Sequence, residues 1–176
     1  MKDRTGALAL LTELDYSVCA HCNRVRQPGV VRFWKGVSRL GDGVLWYVLM
    51  VALPLLYGWQ DLLLTARMAG VGAFCLTLYV LIKRVAARPR PYERHEGIEL
   101  LGIPLDRYAF PSGHTMHAVA FTVLVVARHP ELGWLLVPFT LLLATSRVVL
   151  GLHYPSEVLA GGALGATIAI LSRVVI

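Results

Sequence analysis

Charge is what this sequence has little of. Asp, Glu, Lys and Arg make up 16% of its 176 residues, against roughly a quarter in soluble domains. Hydrophobic residues make up 56%. A soluble bundle of very apolar helices is set aside, because the apolar runs are too long for one. Cysteine is scarce as well: Cys19, Cys22 and Cys75 are the only three. An odd count argues against a disulfide framework. Cys19-Ala20-His21-Cys22 has the outline of a metal-binding run, but zinc takes four ligands and no second cluster stands elsewhere. The sequence is therefore read without a metal and without another cofactor. A cleavable secretory signal is not expected either. Lys2, Asp3 and Arg4 are followed by Glu13 and Asp15 inside the first apolar stretch, which leaves no clean hydrophobic region. No internal repeat or low-complexity tract divides the chain, and a chain this short is normally one domain.

What the sequence has in abundance is long apolar runs. Five approach or exceed the ~20 residues that cross a bilayer as helix: Gly43–Trp59, Leu62–Ile82, Thr115–Ala127, Gly133–Leu150 and Val158–Ile176. The third is the shortest and needs Ser112–His114 counted with it. The expectation is an all-α integral-membrane bundle of about five transmembrane helices, residues 41–176. Residues 1–40 are mixed. Leu8, Leu10, Leu11, Leu14 and Val18 recur at helical spacing, as do Val30, Val31, Phe33, Trp34, Val37 and Leu40 beside Arg32, Lys35 and Arg39. Gln27-Pro28-Gly29 separates the two stretches. They read as amphipathic helices lying at the membrane interface with cations toward lipid phosphate. A segment packed on the bundle fits the same pattern. Pro54 and Pro138 fall inside spans, where neighbours can satisfy the freed backbone groups. Gly161, Gly162 and Gly165 form a small-residue face suited to close helix packing.

Five spans set a parity. The loop from about Arg84 to Pro111 and the turn at Gly151–Ser156 are two spans apart, so they share one side, and the N-terminal 40 residues join them. That side carries Lys2, Arg4, Arg24, Arg26, Arg32, Lys35, Arg39, Lys83, Arg84, Arg88, Arg90, Arg94 and Arg107; the other carries Arg67, Arg128 and Arg173. The positive-inside rule makes the richer side cytoplasmic. Net charge is +6, which favours anionic headgroups and phosphate-bearing substrates. Nucleic acid is not expected as a partner, since much of the charge lies in short loops between spans.

Three polar clusters share that side: Lys83 to Pro91, Pro111-Ser112-Gly113-His114, and Ser146-Arg147 followed by His153 and Glu157. Snorkelling to headgroups accounts for Arg84 and Arg88. It does not account for Arg147, several residues inside its apolar run, and an ionisable residue at that depth is a functional candidate. Ser112 suits a helix N-cap. Gly113 lets backbone approach a ligand, and free N–H groups at a helix start suit phosphate. Tyr154-Pro155 marks another helix start, with His153 just before it and Glu157 in its first turn. That spacing lets the carboxylate reach the imidazole and leave the other ring nitrogen nucleophilic. Two histidines, a carboxylate and several cations suit phosphoryl transfer without metal, the cations supplying the charge stabilisation that Mg²⁺ provides elsewhere. His117, one turn beyond His114, reads as packing or support. His95, Glu96, Glu99, Asp106 and Arg107 lie in the long loop, open to the headgroup or to solvent.

These blocks resemble the type 2 phosphatidic acid phosphatase superfamily, which includes the vanadium haloperoxidases. Its signature is K-x6-R-P, P-S-G-H and S-R-x5-H-x3-D. The chain carries Lys83-x6-Arg90-Pro91, Pro111-Ser112-Gly113-His114 and Ser146-Arg147-x5-His153-x3-Glu157, in order and at matching spacing over residues 83–157. The last acid departs from the pattern: glutamate stands where the family has aspartate. The resemblance implies that His153 attacks phosphorus to form a phosphohistidine and that Glu157 holds its ring. It implies that His114 protonates the leaving oxygen and then activates water. Lys83, Arg90, Arg147, Ser112 and the Gly113 N–H would bind phosphate oxygens. The expected protein is an integral-membrane lipid phosphatase, of bacterial inner-membrane type, taking its substrate laterally from the bilayer. Undecaprenyl diphosphate and similar isoprenoid diphosphates lead as substrates, ahead of phosphatidic acid and phosphatidylglycerol phosphate. Relatives with isoprenoid substrates often face the periplasm, against the charge count. Two alternatives are a vanadate-dependent haloperoxidase, disfavoured because those enzymes are soluble, and a non-catalytic membrane protein, which requires Glu157 to fail in the aspartate's place. Oligomeric state has no signature in the sequence.

Overall fold

Every regular element among the described residues is helical. The computed structural model describes the backbone of residues 2–175 and the side chains of residues 9–174. Expectations placed on Met1 and Ile176, and on the side chains of Lys2, Arg4 and Leu8, lie outside it. In chain order the helices are α1 (Lys2–Cys22), α2 (Pro28–Leu40), α3 (Val44–Tyr57), α4 (Leu62–Ala86), the short α5 (Pro91–Arg94), α6 (Gly113–Arg128), α7 (Gly133–Val149) and α8 (Pro155–Val175).

Three stretches are long and apolar enough to cross a bilayer by themselves: Trp59–Arg94, Pro130–Val149 and Pro155–Val174. A fourth arises if α2 and α3, bent by 50° at their junction, are counted as one span. The five apolar runs of the sequence thus become five bundle helices of unequal kind. At 14 residues α3 measures about 21 Å, and at 16 residues α6 measures about 24 Å, against roughly 30 Å of hydrocarbon. The weaker hydropathy of α6 has a packing reason. It sits between α4, α7 and α8, and Met116, Ala118, Ala120, Leu124 and Val125 are buried there. Lipid-facing hydrophobicity falls instead to residues such as Leu55, Leu63, Phe74, Leu141, Leu159 and Ile170, all exposed.

The core is fastened by shape and by a few polar contacts. Trp46 of α3 packs on Phe121 and Phe139, with ring centroids 5.4 and 5.9 Å away. The hydroxyls of Thr122 and Thr140 meet at 2.7 Å between α6 and α7, the kind of interhelical bond that apolar surroundings favour. The glycine face of α8 does what its sequence promised. A Cβ on Gly161 would stand 2.5 Å from the Ser112 carbonyl oxygen, and one on Gly165 would stand 2.2 Å from that of Met116. Only glycine allows α8 to lie this close to α6, and the approach draws the start of α6 beside the start of α8. The Ser112 N–H then bonds the Glu157 carbonyl at 3.1 Å.

The far end of the bundle is closed separately. Asp61, wholly buried, lies 2.5 Å from His129 Nε2 and 3.5 Å from Arg128 Nε. Arg67, Arg128 and Arg173 border one cavity there, at the opposite end of α6 from His114.

The N-terminal segment departs from a helix pair simply resting on lipid. α1 and α2 both contact α7, and α1 also contacts α8. Asp15, Cys19 and Asn23 are buried, while Leu10, Leu11 and Leu14 of α1 and Phe33 and Leu40 of α2 remain exposed. One face therefore packs on the bundle and the other is free for the bilayer surface. Asn23 ties the two together, donating to the Glu99 and Val149 carbonyls at 3.0 and 2.9 Å and accepting the Glu99 N–H at 2.8 Å.

Candidate active site

Helix ends build the site. α4 finishes at Ala87, whose left-handed φ of 43° turns the chain toward Arg88 and Arg90. α7 runs down to Arg147 and stops within a turn. Gly151, at φ 72°, then reverses the chain, and a Cβ there would meet the Glu99 carbonyl oxygen at 2.5 Å. The Arg147 carbonyl accepts the N–H groups of both Leu152 and His153 at 3.0 Å, which sets His153 back over the arginine. Proline at 155 starts α8 immediately afterwards.

Lys83, Arg90, Gly113, His114, Arg147 and His153 all line one cavity of about 440 Å³, within the roughly 300–1,000 Å³ of small-molecule sites. Ser112 and Glu157 stand behind that wall. Both are wholly buried, as are Arg90, Arg147 and His153 to within 1%; His114 retains 11% exposure. Away from the polar end the cavity runs along Trp46, Tyr47 and Met50 of α3 and Met68, Gly72 and Leu76 of α4. It is a cationic head joined to an apolar slot.

Glu157 reaches back from the first turn of α8. Its Oε2 accepts the Tyr154 N–H at 3.0 Å and stands 3.2 Å from His153 Nδ1. A carboxylate there holds the proton on Nδ1 and leaves the Nε2 lone pair as the free one. His153 lies in the turn between α7 and α8, outside the spans. Burial above all, then the charges of Arg147, Arg90 and Lys83, hold its pKa well below the usual imidazole value. That environment favours the neutral ring, the form in which an imidazole nitrogen can act as a nucleophile.

The cations differ in how committed they are. Lys83 gives its donors to Asp106, at 2.6 and 2.7 Å, and to the Tyr108 carbonyl at 2.8 Å. Arg90 donates to the Asp106 carbonyl and carboxylate and to the Leu152 carbonyl, at 2.7 to 3.1 Å. Arg147 makes a single side-chain bond, Nη1 to Ser38 Oγ at 2.5 Å, and its Nε is buried without a partner. Donor capacity facing the cavity is therefore concentrated on Arg147. Ser112 occupies the N-cap position of α6, yet its hydroxyl does not cap the backbone. It meets Thr115 Oγ1 at 3.0 Å instead.

Sequence reasoning missed several partners. Asp42, between Gly41 and Gly43, lies 2.5 Å from His114 Nε2. Ser38 holds Arg147. Asp106, assigned only to a loop, anchors Lys83 and Arg90. Arg88, explained above by snorkelling, bonds Asp15 at 2.9 Å and Ser156 at 3.1 Å and faces Glu157 Oε1 at 3.3 Å. Asp15 carried a legible signal, an acid within an apolar stretch, which is the criterion that picked out Arg147. His117 bridges two backbone carbonyls, those of Gly113 at 2.8 Å and Gly72 at 3.1 Å, in keeping with a supporting role.

Comparison with known proteins gives this arrangement a context. The chain is 35% identical to decaprenylphosphoryl-5-phosphoribose phosphatase of Mycobacterium tuberculosis over 161 residues, 89% of this chain and 86% of that one. It is 39% identical to the undecaprenyl-diphosphatase BcrC of Bacillus subtilis over 92 residues, 52% of this chain and 47% of the other. Its fold matches the crystal structure of Aquifex aeolicus LpxE with a TM-score of 0.79 at 23% identity, covering 89% of this chain and 93% of that one. Residues 44–176 match the PAP2 superfamily, and the chain, all-helical, membrane-embedded and related to phosphatases of lipid phosphates, belongs to that superfamily.

Proposed function

We propose that this membrane phosphatase hydrolyses a phosphomonoester or diphosphate carried on a polyprenyl lipid, through a phosphohistidine at His153. One observation carries the reading: His153, with Glu157 behind it, borders a cavity that is cationic at one end and apolar at the other. A lipid phosphate has that same polarity. Its headgroup would meet Arg147, Lys83 and Arg90, while its chain would leave along α3 and α4 into the bilayer.

In the reaction His153 Nε2 forms a bond to phosphorus as the bond to the leaving oxygen breaks, and His114 supplies the proton to that oxygen. Water then gives a proton back to His114 and attacks the phosphohistidine, releasing phosphate and restoring His153. Glu157 holds the ring through both steps. Arg147 and the Gly113 N–H stabilise the equatorial oxygens, with Lys83 and Arg90 joining them as Asp106 yields, and Ser112, behind the cavity wall, supports the start of α6. Charge stabilisation from these groups supports catalysis without a metal. The polyprenyl class is favoured by the near full-length similarity to the decaprenyl-lipid phosphatase. The charge count supports a cytoplasmic site in a bacterial inner membrane.

The test is phosphate release by the purified chain in EDTA, from decaprenylphosphoryl-5-phosphoribose, undecaprenyl diphosphate, phosphatidylglycerol phosphate, phosphatidic acid and the soluble isoprenoid farnesyl diphosphate. Turnover of the isoprenoid substrates and its loss in His153→Ala are expected. Undiminished turnover in that variant ends the phosphohistidine mechanism.

A further inference from the structure

The N-terminal helices lie outside residues 44–176, which carry the family match, yet they reach into the site. Asp15 of α1 is buried against the start of α8. Its Oδ1 accepts the Ser156 N–H at 2.9 Å, and its Oδ2 accepts the Ser156 hydroxyl at 2.5 Å and Arg88 Nη2 at 2.9 Å. Pro155 has no N–H, and the N–H of Glu157 is taken by the Tyr154 carbonyl at 3.1 Å. The Ser156 N–H is thus the first-turn donor that needs a cap, and the residue capping it lies 141 positions away in the chain.

Arg88 joins this cap to the chemistry. One side of its guanidinium meets Asp15 and the other faces Glu157 Oε1 at 3.3 Å, an ion pair off hydrogen-bond geometry. Its plane lies over the Tyr154 ring, 4.5 Å from the centroid. Glu157 therefore has one oxygen toward Arg88 and the other shared between the Tyr154 N–H and His153 Nδ1. Neither Asp15 nor Arg88 lines the cavity, so neither meets substrate.

We propose that Asp15 is a positioning residue for phosphoryl transfer: through Arg88 it fixes Glu157, and through Glu157 the ring of His153, making α1 part of the catalytic apparatus. The inference rests on the role given above to His153. Its physical basis is competition for one cation. Held between two carboxylates, Arg88 steadies Glu157 Oε1 without turning fully onto it, so losing Arg88 frees that carboxylate and losing Asp15 misdirects it. Without Asp15, Arg88 closes on Glu157 and draws that carboxylate from the imidazole, because in a buried site a bond between two ions outweighs one in which only the carboxylate is charged. The phosphate-facing groups are untouched, so the loss falls on kcat and not on KM.

The experiment is steady-state hydrolysis of farnesyl diphosphate by the full chain in detergent, with Asp15→Asn, Arg88→Gln and the double variant, each checked by thermal unfolding. Asparagine can still accept the Ser156 N–H but no longer pairs with Arg88. Expected are a kcat at least ten-fold lower for Asp15→Asn, a KM within about two-fold of wild type, and a double variant no slower than Arg88→Gln alone. Wild-type kcat in Asp15→Asn, or losses that multiply in the double variant, overturns the proposal. Should Asp15→Asn not fold, Arg88→Gln keeps both Ser156 bonds to Asp15 and carries the test, wild-type kcat there being the refuting result. A wild-type chain that hydrolyses none of the substrates would instead remove the functional reading beneath it. An active wild type with an inactive His153→Ala and a fully active Asp15→Asn leaves that reading standing and removes only this one.

Discussion

Glu157 Oε2 sits 3.2 Å from His153 Nδ1 and 3.0 Å from the Tyr154 N–H. A glutamate in the third position of a helix, reaching back to the N–H at the cap, is half of a capping box. The departure from aspartate thereby acquires a reason: the longer side chain serves the helix start and the imidazole with one oxygen. Aspartate would be about 1.5 Å shorter and would give up part of one contact. Glu157→Asp should keep kcat within roughly ten-fold of wild type. Glu157→Gln, without the charge, should lose roughly 10²- to 10⁴-fold, the range spanned by positioned acid–base groups. Phosphate release measured side by side decides it, and a Gln variant at wild-type rate would show that Glu157 does not orient the ring.

The contact between α6 and α8 makes a prediction about stability. A methyl on Gly165 would stand 2.2 Å from the Met116 carbonyl oxygen, whereas one on Gly70 of α4 would meet nothing within 4 Å. Gly165→Ala should destabilise the chain by about 1–3 kcal/mol, the usual cost of overpacking. It should also slow turnover, since separating the helices moves His114 from His153. Gly70→Ala should be neutral or gain up to ~1 kcal/mol from helix propensity. Thermal unfolding in detergent separates the two, and equal melting temperatures would contradict the close packing.

Acid should destabilise the fold through His153. Its pKa is lowered in the folded state by burial and by Arg147, Arg90 and Lys83. Above the unfolded value of about 6.5 the ring is neutral in both states and costs nothing. As pH falls below that value the unfolded chain takes up a proton that the folded chain refuses, so stability declines until the folded pKa is reached. His153→Asn should flatten the loss of melting temperature between pH 7 and pH 5. An unchanged slope would mean that this ring does not titrate on unfolding.

Membrane sidedness can be read from one thiol. Cys22 is partly exposed, while Cys19 is buried and its pKa is pushed up to about 12, first by burial and then by Cys22, Glu157 and Asp15. Cys75 is buried in α4. An impermeant maleimide should therefore report on Cys22 alone, and Cys22→Ser should abolish its signal. With a cytoplasmic site, labelling appears only after cells are permeabilised. Labelling of intact cells would put the site on the outer face and set the charge bias aside.

The helical membrane character was legible because a bilayer demands long apolar runs whatever the tertiary contacts. That Lys83, Arg90, His114, Arg147 and His153 would gather around one cavity was legible because the three motif blocks fall at helix ends on one side of the bundle. Spacing across one helix start also revealed the pairing of Glu157 with His153, since a residue just before a helix and one in its first turn are neighbours by geometry. What the sequence could not hold was any contact between distant elements. Asp15 meets Ser156 across 141 residues, Ser38 meets Arg147 across 109, and Asp42 meets His114 across 72. Each depends on where whole helices dock, which packing decides: glycines at 161 and 165 bring α8 onto α6, and α1 and α2 then fold their polar side chains over the joined ends. Hydropathy and motif spacing determined the membrane character and the phosphatase family; tertiary structure alone decided that the N-terminal helices, read from the sequence either as lying at the interface or as packed on the bundle, reach the start of α8 beside His153.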